Sequence, residues 1–210
     1  VNPPTTSFIL IKAHSQNFQP YNLSKNWVLF EELSSSVIRT FVMGEDPQFF
    51  NHKGYYLNEM WKSFKENLKT NKALGKSTIT QQTAKNLFLF PKRSYFRKII
   101  ELQFAIWMEL FLSKERILEI YVNTIEFGRG IFGIEKAAQV YFNKSAKTLS
   151  FDESCLLAGI MPLPEKITDL KSAQTSVRVL YRASILYKML YHQAMKDENY
   201  LRKCPCFDVL

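Results

Sequence analysis

Only three of the 210 residues are cysteine, and an odd number cannot close into a fully paired intrachain disulfide framework. Cys155 falls in an apolar stretch, while Cys204 and Cys206 flank Pro205 in the last residues. His52 has no second histidine or cysteine at ligand spacing, so a hydrogen-bonding role outweighs a zinc role. Seven glycines and eight prolines are too few for a low-complexity or collagen-like chain. No run of eighteen uncharged apolar residues occurs, and the first residues lack the charged segment, apolar core and cleavage site of a secretory leader. Internal repeats are absent, as is any zinc-finger, RRM or other nucleic-acid fingerprint. Acidic residues are also in short supply: 19 Asp and Glu against 28 Lys and Arg leave a formal charge of +9. Such a balance suits an anionic partner, and without a nucleic-acid motif that partner reads as an anionic membrane surface and not nucleic acid.

The chain is rich in apolar residues, 46% of the total, enough for one substantial core. Long periodic stretches with short breaks predict a mainly α fold made of one domain over 1–210, with 196–210 as a tail of unknown role. The segment 56–72 carries Leu57, Met60, Trp61, Phe64 and Leu68 on one helical face and Lys62, Lys65, Lys69 and Lys72 on the rest. An interfacial helix and an ordinary core helix both have that pattern. A further amphipathic helix is predicted near 176–193.

Four short segments carry more polar chemistry than folding asks for. In 75–86, Thr78 and Gln81 read as a capping box opening a helix, which leaves Ser77, Thr80, Gln82 and Lys85 unexplained by capping. Gln81 and Gln82 lie four and three residues before Lys85 and are expected on its face. They make either a solvated helix end or a donor-rich cradle for an oxygen-rich ligand. In 42–54, Asp46 reads as the N-cap of a helix starting at Pro47, with Glu45 left over beside the positive end of that helix. Glu45 is then a free base or a solvated carboxylate. In 93–109, Ile99, Leu102, Ala105, Ile106 and Met108 predict a wide apolar face, and Arg97 and Lys98 precede Glu101 by four and three residues. As exposed pairs these would stabilise the helix by only ~0.3–0.5 kcal/mol each. Joined by Lys85 and Arg93 they make a cation group that suits a pyrophosphate. Finally, 128–133 satisfies the pattern G-x-G-x-x-G, but Ser113 caps a helical run before it and no strand–helix repeats follow. A tight irregular turn leading into a helix over 133–142 is predicted instead of a dinucleotide site.

The order of these segments is more specific than any of them alone. Glu45-Asp46-x-x-Phe49-x-x-His52-x-Gly54, Gly75-x-Ser77-Thr78-Ile79-Thr80-Gln81-Gln82, Arg97-Lys98-x-x-Glu101, Arg116-Ile117-Leu118-Glu119-x-Tyr121-x-Asn123 and Leu156-Leu157-Ala158-Gly159-Ile160-Met161-Pro162 follow one another along the chain. In that order they resemble the five motifs of the family 51 peptidoglycan glycosyltransferases. The resemblance is strong over 1–165 and weak over 166–195. Asn2-Pro3-Pro4-Thr5-Thr6-Ser7 and Glu126-Phe127-Gly128-Arg129-Gly130 look most like the monofunctional biosynthetic transglycosylases, not the transferase half of class A penicillin-binding proteins. Lys76 stands where that family usually has a small residue, and Leu74 where it often has arginine.

The resemblance implies a lysozyme-like helical large lobe with a smaller membrane-facing jaw. It implies polymerisation of lipid II with release of undecaprenyl pyrophosphate, and inhibition by the phosphoglycolipid moenomycin. Glu45 and Glu101 match the two catalytic glutamates. Ser77, Thr80, Gln82, Lys85, Asn86, Arg93, Arg97 and Lys98 fall at substrate-binding positions, and Asp46, His52 and Asn123 at supporting ones. A divalent cation, Mg or Mn, near Glu45 or Glu101 is expected as the sole cofactor candidate, with no organic cofactor. The expected partners are lipid II, the growing lipid-linked glycan, the anionic membrane surface and cell-wall synthesis proteins. The expected location is the outer face of the bacterial cytoplasmic membrane, with an N-terminal anchoring helix lying outside this sequence. Two other classes share some of these features: a lysozyme-like glycan hydrolase, which would not need the cations, and a membrane-associated binding protein, which would not need Glu45.

Overall fold

A computed structural model of the chain describes residues 2–20, 22–56, 77–92 and 94–196. The helices are α1 (Ser7–Gln16), α2 (Ser35–Glu45), α3 (Ile79–Phe88), α4 (Tyr95–Phe111) and α5 (Lys114–Thr124). After a hairpin of β1 (Glu126–Gly128) and β2 (Ile131–Phe132) come α6 (Ile134–Phe142), α7 (Phe151–Ile160), α8 (Leu170–Thr175) and α9 (Val177–Lys196). The mainly α expectation holds: among the described residues the only sheet is this two-stranded one. The segment 57–76, with its proposed interfacial face and the departures at Leu74 and Lys76, lies outside the described residues, as do Arg93 and the tail from 197.

Local chemistry sets most of the boundaries. Thr6, Ser34, Thr78, Ser94, Ser113, Ser150 and Asp169 each place a side-chain oxygen on the amide N–H three residues ahead. Each such cap is worth ~1 kcal/mol against alanine. The capping box at Thr78 and Gln81 and the cap at Ser113 fall where the sequence places them. The interior is organised around α5, whose residues from Ile117 to Thr124 are all buried. Among the described residues Tyr121, Phe41, Phe49, Phe127 and Phe132 are the largest fully buried side chains, and Phe41 meets Phe127 edge-on at 5.7 Å.

Three expectations need correction. Asp46 opens no helix. It is the C-terminal cap residue of α2, followed by a turn and a short 3-10 segment at Phe49–Asn51. Glu45 is therefore the last residue of α2, at the negative end of a helix dipole and not the positive end of the next. The tight turn of the glycine segment is present at 129–130, but it joins two short strands in an irregular antiparallel hairpin, pairing Glu126 with Phe132 and Gly128 with Ile131. Its exit needs glycine: Gly133 has φ +82°, and a Cβ there would lie 2.8 Å from the Asn123 carbonyl oxygen. Over α6 the helical prediction holds.

The third correction concerns α4. Ala105 and Met108 are buried, as expected, but they share their stripe with Arg97 and Glu101, at intervals of four, four and three residues. Ile99 is 68% exposed, and Phe96, Trp107, Leu110 and Phe111 also face outward. Charges are turned inward and large apolar groups outward, the reverse of what a soluble core helix does.

Candidate active site

Glu45 is held from two sides. Gln82 of α3 donates from Nε2 to Glu45 Oε2 at 2.9 Å, and Arg182 of α9 donates from Nη2 to Glu45 Oε1. Gln82 is steadied by its own contacts, from Nε2 to the Ser77 carbonyl at 3.4 Å and from the Tyr121 hydroxyl to its Oε1 at 3.4 Å. Tyr121 is buried beside Glu45 and Asp46, and burial, reinforced by those carboxylates, pushes its phenol well above the ordinary range. It stays a neutral donor. Among the described residues, each hydrogen-bond partner of the Glu45 carboxylate is a donor, so its oxygens act only as acceptors.

Asp46, adjacent in sequence, points elsewhere and does structural work. Its Oδ2 accepts from the Ile79 N–H at 3.0 Å and from His52 Nε2 at 2.8 Å, and its Oδ1 accepts from the Tyr56 hydroxyl at 2.8 Å. His52 Nδ1 in turn accepts from the Gly54 N–H at 2.8 Å, which puts the ring proton on Nε2. Thr78 donates to the Gly54 carbonyl at 2.6 Å. Asp46 thus fastens the loop after α2 to the first turn of α3, and so sets where Gln82 stands relative to Glu45. Asp46→Asn is expected to be mild. The new carbonyl can keep the Oδ2 contacts, while the Tyr56 hydroxyl turns to accept from the new amide. Asp46→Ala leaves the Ile79 N–H and its neighbours unpaired in a buried site and should cost ~1–3 kcal/mol. Chemical denaturation of the two variants side by side checks this, and equal stability would remove Asp46 from the scaffold.

One helical turn along, the cations gather. Glu101 is 2% exposed and accepts from Arg97 Nη1 at 2.8 Å on Oε2 and from Lys98 Nζ on Oε1. Lys98 Nζ also reaches Ser77 Oγ at 2.8 Å and Gln81 Oε1 at 3.4 Å. These are not exposed helix pairs. Lys85 lies over the Phe8 ring at 5.4 Å, as does Lys12. Burial holds the Lys85 ammonium below its usual range; Glu101 opposes this, whereas Arg97, Lys98 and Lys12 add to it. Three cations and one carboxylate leave two positive charges around Glu101. Two buried donors there, Gln81 Nε2 and Arg97 Nε, have no partner among the described residues.

The expected sharing of one face by Gln81, Gln82 and Lys85 is only half of the picture. Helix α3 directs Gln82 to Glu45 and Gln81 to Lys98, so two adjacent amides serve the two ends of the site. Thr80 is fully buried and gives its hydroxyl to Glu109 Oε1 at 2.5 Å. Asn86 is also buried. Asn123 is a clamp: its amide meets the Val28 N–H at 2.9 Å and the Val28 and Glu119 carbonyls at 2.8 Å. Among the described residues no three His, Cys, Asp or Glu side chains come together as a metal site. The carboxylate oxygens of Glu45 and Glu101 already meet cations or amide donors, a poor fit for a cation held by protein ligands alone.

Two charged residues were not marked by any local pattern. Arg182 contacts Glu45 across 137 residues of sequence. Lys12, 6% exposed, bonds Glu126 Oε2 at 2.5 Å and Glu165 Oε1 at 2.7 Å, tying α1 to the hairpin. Burial works to lower the Lys12 ammonium's proton affinity, but the two carboxylates outweigh it and the balance is upward. Neither contact has a sequence signature, because both partners are distant in the chain.

A family profile for transglycosylases matches residues 12–190. A protein of Cupriavidus metallidurans named biosynthetic peptidoglycan transglycosylase is 39% identical over 203 residues, covering 94% of this chain and 87% of that one. Proteins with the same name from Shewanella frigidimarina and Caulobacter vibrioides are 43% and 40% identical over 164 and 166 residues. These matches cover 78% and 79% of this chain, and 70% and 71% of the respective relatives. A glutamate held by donors and a cation group around a buried glutamate, on a mainly helical scaffold matched over most of its length, agree on one conclusion: the chain belongs to the transglycosylase family.

Proposed function

We propose that this chain is a peptidoglycan glycosyltransferase that polymerises lipid II. The 4-hydroxyl of an N-acetylglucosamine attacks the anomeric carbon of a lipid-linked N-acetylmuramic acid. Glu45 takes the hydroxyl proton as the new C1–O4 bond forms. The bond from C1 to phosphate breaks on the opposite face, so the configuration inverts and undecaprenyl pyrophosphate leaves with the electron pair. The leaving group is already acidic and needs its charge neutralised more than it needs a proton. Lys85, Arg97 and Lys98, kept apart and oriented by Glu101, supply that, with Arg93 expected to join them.

The observation that carries this reading is that the first two turns of α3 hold both halves of the reaction, Gln82 on a carboxylate surrounded by donors and Gln81 on a net-positive group. A glycan hydrolase would need a carboxylic acid poised to protonate a sugar oxygen and would gain nothing from two uncompensated positive charges. Labelled lipid II resolved by gel after incubation with the protein separates the two. Growth of a glycan ladder is the expected result, and shortening of a preformed glycan without growth would overturn it.

A divalent cation enters this proposal only as a companion of the substrate, bound chiefly by pyrophosphate oxygens, and no step runs through it. The outward apolar residues of α4, Phe96, Ile99, Trp107, Leu110 and Phe111, support contact with the membrane that carries the substrate, as does the charge of +9. Among the described residues no helix is long and apolar enough to cross a membrane. The proposed place of action is the outer face of the cytoplasmic membrane.

If Lys98 binds the donor's pyrophosphate, Lys98→Met should weaken lipid II use and moenomycin affinity together. Moenomycin calorimetry beside the polymerisation rate checks this. Full-strength moenomycin binding by an inactive Lys98→Met protein would move Lys98 from donor binding to the support of Ser77 and Glu101.

A further inference from the structure

We infer that α9 is part of the active site and that Arg182 is a positioning residue that aims the Glu45 carboxylate. This rests on Glu45 being the base. The sequence marks α9 only as an amphipathic helix, yet Arg182, with its side chain 33% exposed, falls on the same stripe as the buried Val179, Leu186 and Leu190. A charged residue on the apolar face of a helix needs a partner there. Arg182 Nη2 bonds Glu45 Oε1 and also the Gly44 carbonyl oxygen at 2.9 Å. One nitrogen therefore grips the backbone and the side chain of the last turn of α2 at once.

That turn is where a cation is wanted. The final carbonyls of a helix lack intrahelical partners, and the negative end of the dipole repels a carboxylate. Arg182 satisfies the first and offsets the second. Its buried Nε has no partner among the described residues, so the hydrogen bonds of the guanidinium to those residues all go to the last turn of α2. Helix α9 is itself fixed closely on α7. A Cβ on Gly159 would lie 2.7 Å from the Val179 carbonyl oxygen, and Leu186 packs with Cys155 and Ala158. The guanidinium is thus delivered from a rigid element, as accurate positioning requires.

Gln82 from α3 and Arg182 from α9 take one oxygen of Glu45 each, and together they set the plane of the carboxylate. Each oxygen keeps a second lone pair, and one of these receives the acceptor hydroxyl proton. A guanidinium remains charged at working pH and has no lone pair to offer, so Arg182 aims the base without competing for the proton.

The test compares Arg182→Ala, Arg182→Lys and Arg182→Gln in lipid II polymerisation and thermal melting. Misplacing a reacting group by about an ångström can cost ~100-fold, so kcat of Arg182→Ala is expected to fall ~10–100-fold with KM unchanged. Guanidinium chloride at non-denaturing concentration should restore part of that rate, while sodium chloride at the same ionic strength should not. Arg182→Lys should keep more kcat than Arg182→Gln. A folded Arg182→Ala protein with wild-type kcat overturns the inference, as does a loss that neither guanidinium nor lysine recovers. If Arg182→Ala does not fold, equal kcat for the lysine and glutamine variants overturns it. Wild-type activity in Glu45→Gln would instead remove the base reading beneath it, a separate result from an inactive Glu45→Gln with Arg182 variants unaffected.

Discussion

Glu45→Gln is expected to slow glycan polymerisation ~10²–10⁴-fold, the usual cost of losing a general base. The substitution keeps the shape of the side chain, and its neighbours can adapt. The new carbonyl can accept from Arg182, and Gln82 can turn its amide to present Oε1 to the new NH2, since the Tyr121 contact on that oxygen is long at 3.4 Å. Arg182 loses its carboxylate, but its side chain is 33% exposed and solvent screens the charge, so the stability change should stay within ~1 kcal/mol. The discriminating result is a large rate loss with an unchanged melting curve. A Glu45→Gln protein that polymerises lipid II at the wild-type rate sinks the mechanism, and one that melts early would show that Glu45 belongs to the scaffold.

What was legible in the sequence is what is local. The capping box at Thr78 and Gln81 involves residues three apart, and the Arg97, Lys98 and Glu101 pairings residues three and four apart, so helical periodicity alone brings them together. Asp46 was misread because its real partner, the Ile79 N–H, is 33 residues away and a local cap at Pro47 was the only job that spacing could offer. The partner of Thr80 was hidden for the same reason, since Glu109 is 29 residues further on. The face of α4 was misassigned through the assumption that apolar means inward. Burying Arg97 and Glu101 on the stripe of Ala105 and Met108 puts Ile99 outside, and no periodicity measure distinguishes a helix facing a core from one facing lipid. Arg182 was invisible to pattern, being one basic residue on an amphipathic helix in the part of the chain where the motifs had faded.

Replacing Glu101 with glutamine should do the most damage to stability. Glu101 is nearly inaccessible and stands between Arg97 and Lys98, with Lys85 near enough to be influenced by its charge. Breaking a buried ion pair by neutralising one partner costs ~3–5 kcal/mol, because the remaining charge stays buried without compensation. Lys98 has a side chain 39% exposed, and solvent screens its share, so the loss should sit near the lower end, ~3 kcal/mol. At ~2–4 °C per kcal/mol for a chain of this size, the melting temperature should fall by roughly 6–12 °C. Activity should fall too, because Lys98 and Arg97 lose the carboxylate that orients them. The substitution also raises the charge of the group from two to three positive, which gives a second readout. Inorganic pyrophosphate should raise the melting temperature of Glu101→Gln by more than it raises that of the wild type, since the anion supplies the missing compensation and stabilises whichever form binds it better. An unchanged melting temperature would mean that Glu101 does not hold the cations. A large drop that pyrophosphate does not offset would mean that the cations are held for the fold alone, and the leaving group would have to be neutralised elsewhere.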